Sequence, residues 1–271
     1  MLKRWLKYYF RAETKYRVHS PFVSAWIEDV FEDKRHYYAL SWLANLRRRL
    51  RLDRTKLQIT DFGAGSKHHS NNERLVADLA KHAACTPRKG ELLFKSANLF
   101  QPKSILELGT SLGLSTLYQH LAVPSASVRT LEGCPQTSAY ALKHFKKFPL
   151  SENINLITGN FDTTLPLALK QLNGRVDWVL FDGNHRLQPT LDYFERCLPL
   201  AHDATVFIFD DIHWSEEMET AWERIKAHPR VTLSIDVFDY GFVFFRPDFS
   251  EKKHYTLIPA KYKIWQMGFV K

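Results

Sequence analysis

Cysteine is scarce in this chain, with three in 271 residues. Cys85, Cys134 and Cys197 lie far apart and show no metal-ligand spacing, which points to reduced, structural thiols in a cytoplasmic protein. Long apolar runs are missing too. The basic N-terminal segment is interrupted by Lys7, Arg11, Glu13 and Lys15 before any continuous apolar region forms, so neither an ordinary signal peptide nor a membrane span is expected. Internal repeats and low-complexity linkers are absent. What is present is 45% hydrophobic and 14% aromatic residues, enough at this length for one large α/β core with an appendage.

Charge is distributed unevenly. Residues 1–56 hold 14 Lys and Arg against six Asp and Glu, a net of +8, while the whole chain carries +9. Aromatic and basic residues interleave from Leu2 to Arg11, a pattern that suits an anionic membrane surface, a nucleic acid, or packing on the core with solvated lysines. The basic run of residues 47–51 equally fits the C-terminal end of a helix, where cations complement the dipole.

Hydrophobic periodicity predicts helices over much of 2–54, broken at Ser20 and Pro21, a short strand at 57–61, and helices at 72–84 and 89–100. Strands near 104–108, 127–132, 154–158, 176–181 and 204–209 then alternate with helices near 114–122, 135–147, 163–172, 189–198 and 215–227. Such alternation means a parallel sheet with helices on both faces. Residues 231–237 and 241–246 are joined by only three residues, too few for a parallel crossover, and so predict an antiparallel hairpin. The expected fold is α/β: a doubly wound, mostly parallel seven-stranded sheet ending in that hairpin. The expected organisation is a basic, mainly helical extension with a short strand at 1–85, a nucleotide-binding-type domain at 86–250 and a tail at 251–271.

The most informative stretch is 104–115, where an apolar run ends in Glu107 and passes through Gly109, Ser111 and Gly113 into an amphipathic segment: a strand, a tight turn and a helix start. A second strand ends in Glu132, 25 residues after Glu107, where a doubly wound fold places the carboxylate that binds a ribose diol. Together they argue for a nucleoside ligand. Gly63 and Gly65 form a similar turn, but the polar run after Ser66 has no helical periodicity and no acid-terminated strand follows it, so a structural turn explains that copy.

In order and spacing, residues 105–113, 131–133, 159–162 and 179–185 resemble the motifs of class I S-adenosylmethionine-dependent methyltransferases over roughly 86–246. The chain looks most like the O-methyltransferase branch that includes the catechol and macrolide-sugar enzymes. Ser111 stands where many class I enzymes carry a third glycine, a departure that this branch often shows. The resemblance implies the Rossmann-like methyltransferase fold, with S-adenosylmethionine bound by Glu107, Gly109, Ser111, Gly113, Ser115, Glu132, Phe161, Asp162 and Asp182. Within that set Glu132 would take the ribose hydroxyls and Glu107 and the glycine turn the methionine end. Ser115 either donates to the methionine carboxylate or caps its helix. Phe161 and Asp162 would sit on the adenine side, although Asp162 also suits a helix N-cap.

Two further strand ends carry acids: Asp182, followed by His185, and Asp210 with Asp211, followed by His213. Three neighbouring carboxylates repel unless solvent, protons or a cation intervene, and Mg²⁺ or another hard divalent ion is a natural neutraliser. By correspondence with metal-dependent O-methyltransferases, Asp182, Asp210 and Asp211 would be the metal carboxylates, Asp211 standing where the catechol branch has asparagine and the macrolide-sugar branch aspartate. The ion would lower the pKa of an acceptor hydroxyl and align it with the sulfonium methyl. His185 stands where the catechol enzymes carry a catalytic lysine, so His185 and Asp182 are the catalytic candidates, with His185 accepting the hydroxyl proton. The alternatives are a loop histidine bonded to a carboxylate, His213 as base or fourth ligand, and the Asp-Asp pair as a turn or cap.

Three functions are therefore weighed: metal-assisted methylation of a hydroxyl on a small molecule, methylation of RNA or protein guided by the basic N-terminal segment, and a non-catalytic cofactor-binding scaffold.

Overall fold

A computed structural model describes residues 1–60, 72–249 and 251–266. The N-terminal region forms α1 (Leu2–Arg11), α2 (Pro21–Trp26), which runs on into a π-helical turn at Ile27–Phe31, and α3 (Tyr38–Leu50). Ser20 caps α2, accepting the Val23 amide with Pro21 in the first turn, so the break expected at Ser20 and Pro21 is a helix start. Strands β1 (Lys56–Gln58) and β2 (Glu73–Leu75) pair antiparallel as a two-stranded ribbon, and α4 (Val76–His82) follows. The helix expected over 72–84 thus begins with a strand. The glycine turn at 61–66 lies outside the described residues.

The main domain then alternates as expected. It runs α5 (Pro87–Phe100), β3 (Ser104–Leu108), α6 (Leu114–Ala122), β4 (Ser127–Glu132), α7 (Pro135–Phe145), β5 (Ile154–Thr158) and α8 (Phe161–Lys170). It continues through β6 (Trp178–Phe181), α9 (Leu187–Cys197), β7 (Val206–Asp210), α10 (Glu216–Ala227), β8 (Leu233–Asp236), β9 (Tyr240–Phe244) and β10 (Lys253–Thr256). The sheet order is β5-β4-β3-β6-β7-β9-β8-β10, and β9 alone among these strands runs antiparallel to its neighbours.

The sheet has eight strands, not seven. Its extra member, β10, lies inside the stretch expected to be a tail and pairs parallel to β8 from Lys253↔Leu233 to Thr256↔Asp236. The reason it gave no signal is its composition. An edge strand of Lys253, His254, Tyr255 and Thr256, exposed or half-buried, has no apolar alternation, because backbone pairing rather than side-chain burial holds it. A further bridge joins Glu13 to Leu257, with the Glu13 amide 2.7 Å from the Thr256 carbonyl oxygen, so the N-terminal segment covers this edge.

Apolar side chains fill both faces of the sheet. On one face Trp26, Val30, Leu43 and Leu46 from the N-terminal helices join Leu117, Tyr118, Trp178 and Phe242 in a single cluster. On the other, Phe181 stacks on Phe209 at 4.4 Å between centroids, with Phe194, Phe207 and Trp222 around them. The central strand β6 is buried at every position, which is why it reads as a continuous apolar run rather than an alternating one.

Candidate active site

The sheet order reverses at β3, flanked by β4 on one side and β6 on the other, and a cleft of about 290 Å³ opens beyond the strand ends there. Gly109 makes this geometry possible. Its φ is +108°, and a Cβ at that position would fall 2.0 Å from the Asp182 carbonyl oxygen, so the turns after β3 and β6 press together where only glycine fits. The Asp182 amide donates to the Leu108 carbonyl at 2.9 Å, fixing the same contact.

One half of the cleft is shaped by the backbone. The Ser111 amide donates to one carboxylate oxygen of Glu132 at 2.8 Å and the Cys134 amide to the other at 2.9 Å, which fixes the acid at the end of β4 on the cleft wall. Ser111, Phe161, Asp162 and Gly183 line this half as well, with the Phe161 ring lying where a Cβ on Gly183 would meet it at 2.5 Å. The side chain of Asn160, not Asp162, caps α8 by accepting the Asp162 amide, and the Asp162 carboxylate stands exposed at the rim, 3.9 Å from Arg196.

Glu107, Gly113 and Ser115 lie beneath the cleft rather than on its wall. Glu107 is completely buried and accepts from the hydroxyls of Thr116 and Thr130 and from the Gln119 amide, 2.9 Å away. Burial pushes its carboxyl above the usual range, and these donors offset only part of that shift. Gly113, at φ +80°, is the N-cap of α6, which leaves the buried Ser115 in the first turn without a capping role.

On the other side Asp182 and His185 line the cleft, and a cluster of side-chain charge lies beside them. Asp182 follows β6, Asp210 ends β7, and Asp211 adopts a left-handed φ of +54° with its amide donating to the Asp239 carbonyl. The Lys89 ammonium lies 2.7 Å from Asp210 Oδ1 and 2.6 Å from Asp211 Oδ1, with its side chain only 13% exposed. Burial opposes the charge on Lys89, but Asp210, Asp211 and Asp182 outweigh it and raise its pKa. Burial and the neighbouring Asp210 hold the Asp182 carboxyl well above the usual carboxylate range, with Lys89 countering only in part. Asp211 is raised by burial and Asp210 and lowered by Lys89 and His185. Beside the cluster, burial and the acids also push up the Cys85 thiol and the Tyr240 phenol.

His185 reaches the cleft wall with Nε2 3.7 Å from Asp182 Oδ1. Potential ligand atoms of Asp182, His185 and Asp210 all lie within 4.8 Å of one another, a donor set of two carboxylates and an imidazole that suits a divalent cation. Asp211 is not in that set and faces Lys89. His213 points elsewhere: Nε2 is 2.9 Å from Asp236 and Nδ1 is 3.1 Å from Glu219, which take up both ring nitrogens.

Lys89 escaped the reading of the sequence, although a signal was present. Thr86 caps α5 and Pro87 opens it, yet the first turn holds Arg88 and Lys89 and no acid, against the preference of the helix dipole. Both cations point to acids on other elements, Arg88 to Asp239 at 3.8 Å and Lys89 to the aspartate pair.

Comparison with known proteins agrees with this architecture. Residues 106–212 match a family described as a methyltransferase domain. The chain is 31% identical over 128 residues to a catechol O-methyltransferase of Niastella koreensis, covering 47% of this chain and 57% of that protein. It is 35% identical over 125 residues to the transmembrane O-methyltransferase homolog of Rattus norvegicus, covering 44% and 48%. The chain thus spans about half the length of the curated relatives it matches. Among solved structures it shares its fold with an SAH-bound methyltransferase of Podospora anserina (TM-score 0.57, 20% identity, 83% of this chain and 94% of that one). The same holds for the O-methyltransferase TomG of Streptomyces achromogenes, solved with SAM (TM-score 0.56, 19% identity, 78% and 91%).

Proposed function

We propose that this chain, which matches a methyltransferase domain over residues 106–212, is a class I O-methyltransferase that transfers a methyl group from S-adenosylmethionine to a hydroxyl of a small molecule. The observation that carries this reading is the meeting, at one cleft, of a backbone-shaped side ending in Glu132 with a wall of Asp182 and His185, next to which Asp210 places a second carboxylate within 4.8 Å of both. The glycine contact at Gly109 and the amide-held Glu132 carboxylate fit the cofactor, Glu132 accepting its ribose hydroxyls and the Phe161 side of the cleft taking its base. When bound, the cofactor supplies an electrophilic methyl group.

The chain's own residues do the rest. His185, at the cleft wall, accepts the proton of the acceptor hydroxyl, and Asp182 at 3.7 Å orients the imidazole. Asp182 and Asp210 would hold a divalent cation, which in that place supplies Lewis acidity toward the acceptor oxygen. Lys89 holds Asp210 and Asp211 in position by direct ion pairing, so the cluster keeps its shape.

The test is methyl transfer from labelled cofactor to a panel of phenols, catechols and sugars, with Mg²⁺ and with excess chelator, alongside calorimetry of cofactor binding. Turnover of a hydroxylated acceptor supports the reading, and its loss in chelator supports the cation. Cofactor binding with no turnover on any acceptor would leave a scaffold. Failure to bind the cofactor at all would remove the family-based reading.

A further inference from the structure

We infer that α1 and the C-terminal segment beside it form a docking surface for an anionic lipid bilayer. On a 3.6-residue helix Trp5, Tyr9, Leu2, Leu6 and Phe10 share one arc of about 140°, with Lys3, Lys7, Arg11 and Arg4 on the adjoining arc. An amphipathic helix normally buries its apolar arc, but α1 does the opposite. Its buried residue is Tyr8, whose hydroxyl donates to the Leu257 carbonyl and whose ring meets Phe238 at 5.1 Å. The apolar arc faces solvent: Leu2 is 71% exposed, Phe10 76%, and Trp5 and Leu6 about two-fifths.

The chain's other end enlarges this face. Tyr9 stacks on Trp5, its ring lies 6.4 Å from Trp265, and its hydroxyl donates to the Tyr262 carbonyl at 2.9 Å. Lys263, buried, ties the two segments together by donating to the Ala12 carbonyl at 2.6 Å. Beside it Ile264 and Trp265 are mostly exposed. Aliphatic and aromatic side chains therefore project together, flanked by the exposed Lys3, Lys7, Arg11 and Lys261.

Charge decides the occupant. A second copy related by a two-fold axis would bring these basic flanks against each other, whereas the interfacial region of an anionic bilayer accepts the apolar arc and attracts the cations in one geometry. Leu2, Leu6, Phe10 and Ile264 offer greasy surface that a polyanionic nucleic acid has no use for. No described helix is long and apolar enough to cross a membrane, so the contact lies in the interface plane. The surface is separate from the cleft, since α1 pairs with Glu219 through Arg4 and with Leu257 through Tyr8 rather than with any cleft residue.

The experiment is co-sedimentation of the full chain with vesicles of phosphatidylcholine alone and of phosphatidylcholine mixed with phosphatidylglycerol, at low and high salt. Binding to the anionic vesicles with a blue shift of tryptophan emission is expected, with little binding to the neutral ones. Lys3→Glu and Lys7→Glu should each weaken partition roughly five-fold or more, from the attraction of about one basic residue near such a surface, and Leu6→Glu with Phe10→Glu should abolish it. All four side chains being exposed, the variants should keep the parent's thermal transition and cofactor affinity. Equal binding of parent and variants, or no vesicle binding, would overturn the proposal. So would a dimer in light scattering that the same variants dissolve, or RNA binding without vesicle binding.

Discussion

The two halves of the cleft differ in what builds them. The half proposed for the cofactor is backbone: a left-handed glycine, two amides on Glu132, and a carbonyl that excludes any side chain at Gly109. The side proposed for the acceptor is charge gathered from the ends of β6 and β7 and the start of α5, with Asp182 at the cleft wall and Asp210, Asp211 and Lys89 balanced beside it. A backbone-built half is local in sequence and tolerates little change in shape. A charge-built half is assembled from distant residues, and what it tolerates is set by which countercharge is removed.

The sharpest test of that contrast is His185→Ala. If His185 is the base, methyl transfer should slow by roughly 10²–10⁴-fold, the usual contribution of a positioned acid or base, while cofactor affinity stays within the error of the parent. Single-turnover kinetics with labelled cofactor would measure it. An unchanged rate would move proton removal from His185 to Asp182.

Lys89→Met probes the charge balance itself. Removing one partner of a buried ion cluster leaves acids uncompensated, so a loss of about 3–5 kcal/mol in urea unfolding at neutral pH is expected. Lowering the pH should return part of that loss, because Asp182 and Asp211 hold protons more readily than ordinary carboxylates. A Lys89→Met, Asp211→Asn double variant should be more stable than Lys89→Met alone. If the single change costs nothing, the ammonium is not the countercharge of this cluster.

Glu132→Ala addresses the other half. If Glu132 accepts the ribose hydroxyls as proposed, its removal should weaken the cofactor by about 1.5–3 kcal/mol, or roughly ten- to 150-fold in Kd by calorimetry. The side chain also holds the amides of Ser111 and Cys134, so the thermal midpoint of the apo protein is the control that separates a displaced turn from a lost ligand contact.

These halves were unequally legible. The alternation of strands and helices, the glycine turn and the Glu132 strand end follow from local periodicity, because burial and turn stereochemistry act over a few residues. Strand ends also named Asp182, Asp210 and Asp211 as neighbours. What sequence order could not show was the partner of α5: the basic first turn at Arg88 and Lys89 signals an unusual helix start, but nothing near it names a cluster more than ninety residues further along the chain. Glu107 illustrates the converse. Its place at a strand end suggested a ligand contact, but the inward side of a pleated strand leads it into Thr116, Thr130 and Gln119 under the turn. Strand β10 was missed for a third reason, since an edge strand held by backbone pairing needs no apolar pattern.

The smallest expected effect lies outside the cleft, at His213, and compares its charge pairing with that of the acceptor half. Burial opposes its protonation, yet the bonds to Asp236 and Glu219 prevail and raise its pKa above the ordinary imidazole value of about 6.5. The raised folded pKa means that the native state binds the proton more tightly than the unfolded chain does. The stabilisation is therefore complete below about pH 6.5 and is lost as pH rises through the folded value. His213→Gln keeps a polar side chain but removes the titration. Urea unfolding followed across this range should show the parent losing more stability than the variant as pH rises. Parallel curves would mean that the imidazole has the same proton affinity folded and unfolded, and that the bonds to Asp236 and Glu219 do not favour its protonated form. Because Arg4 pairs with Glu219 and Tyr8 meets the imidazole ring edge-on at 6.0 Å, the loss should be seen first as earlier proteolysis at α1, ahead of global unfolding.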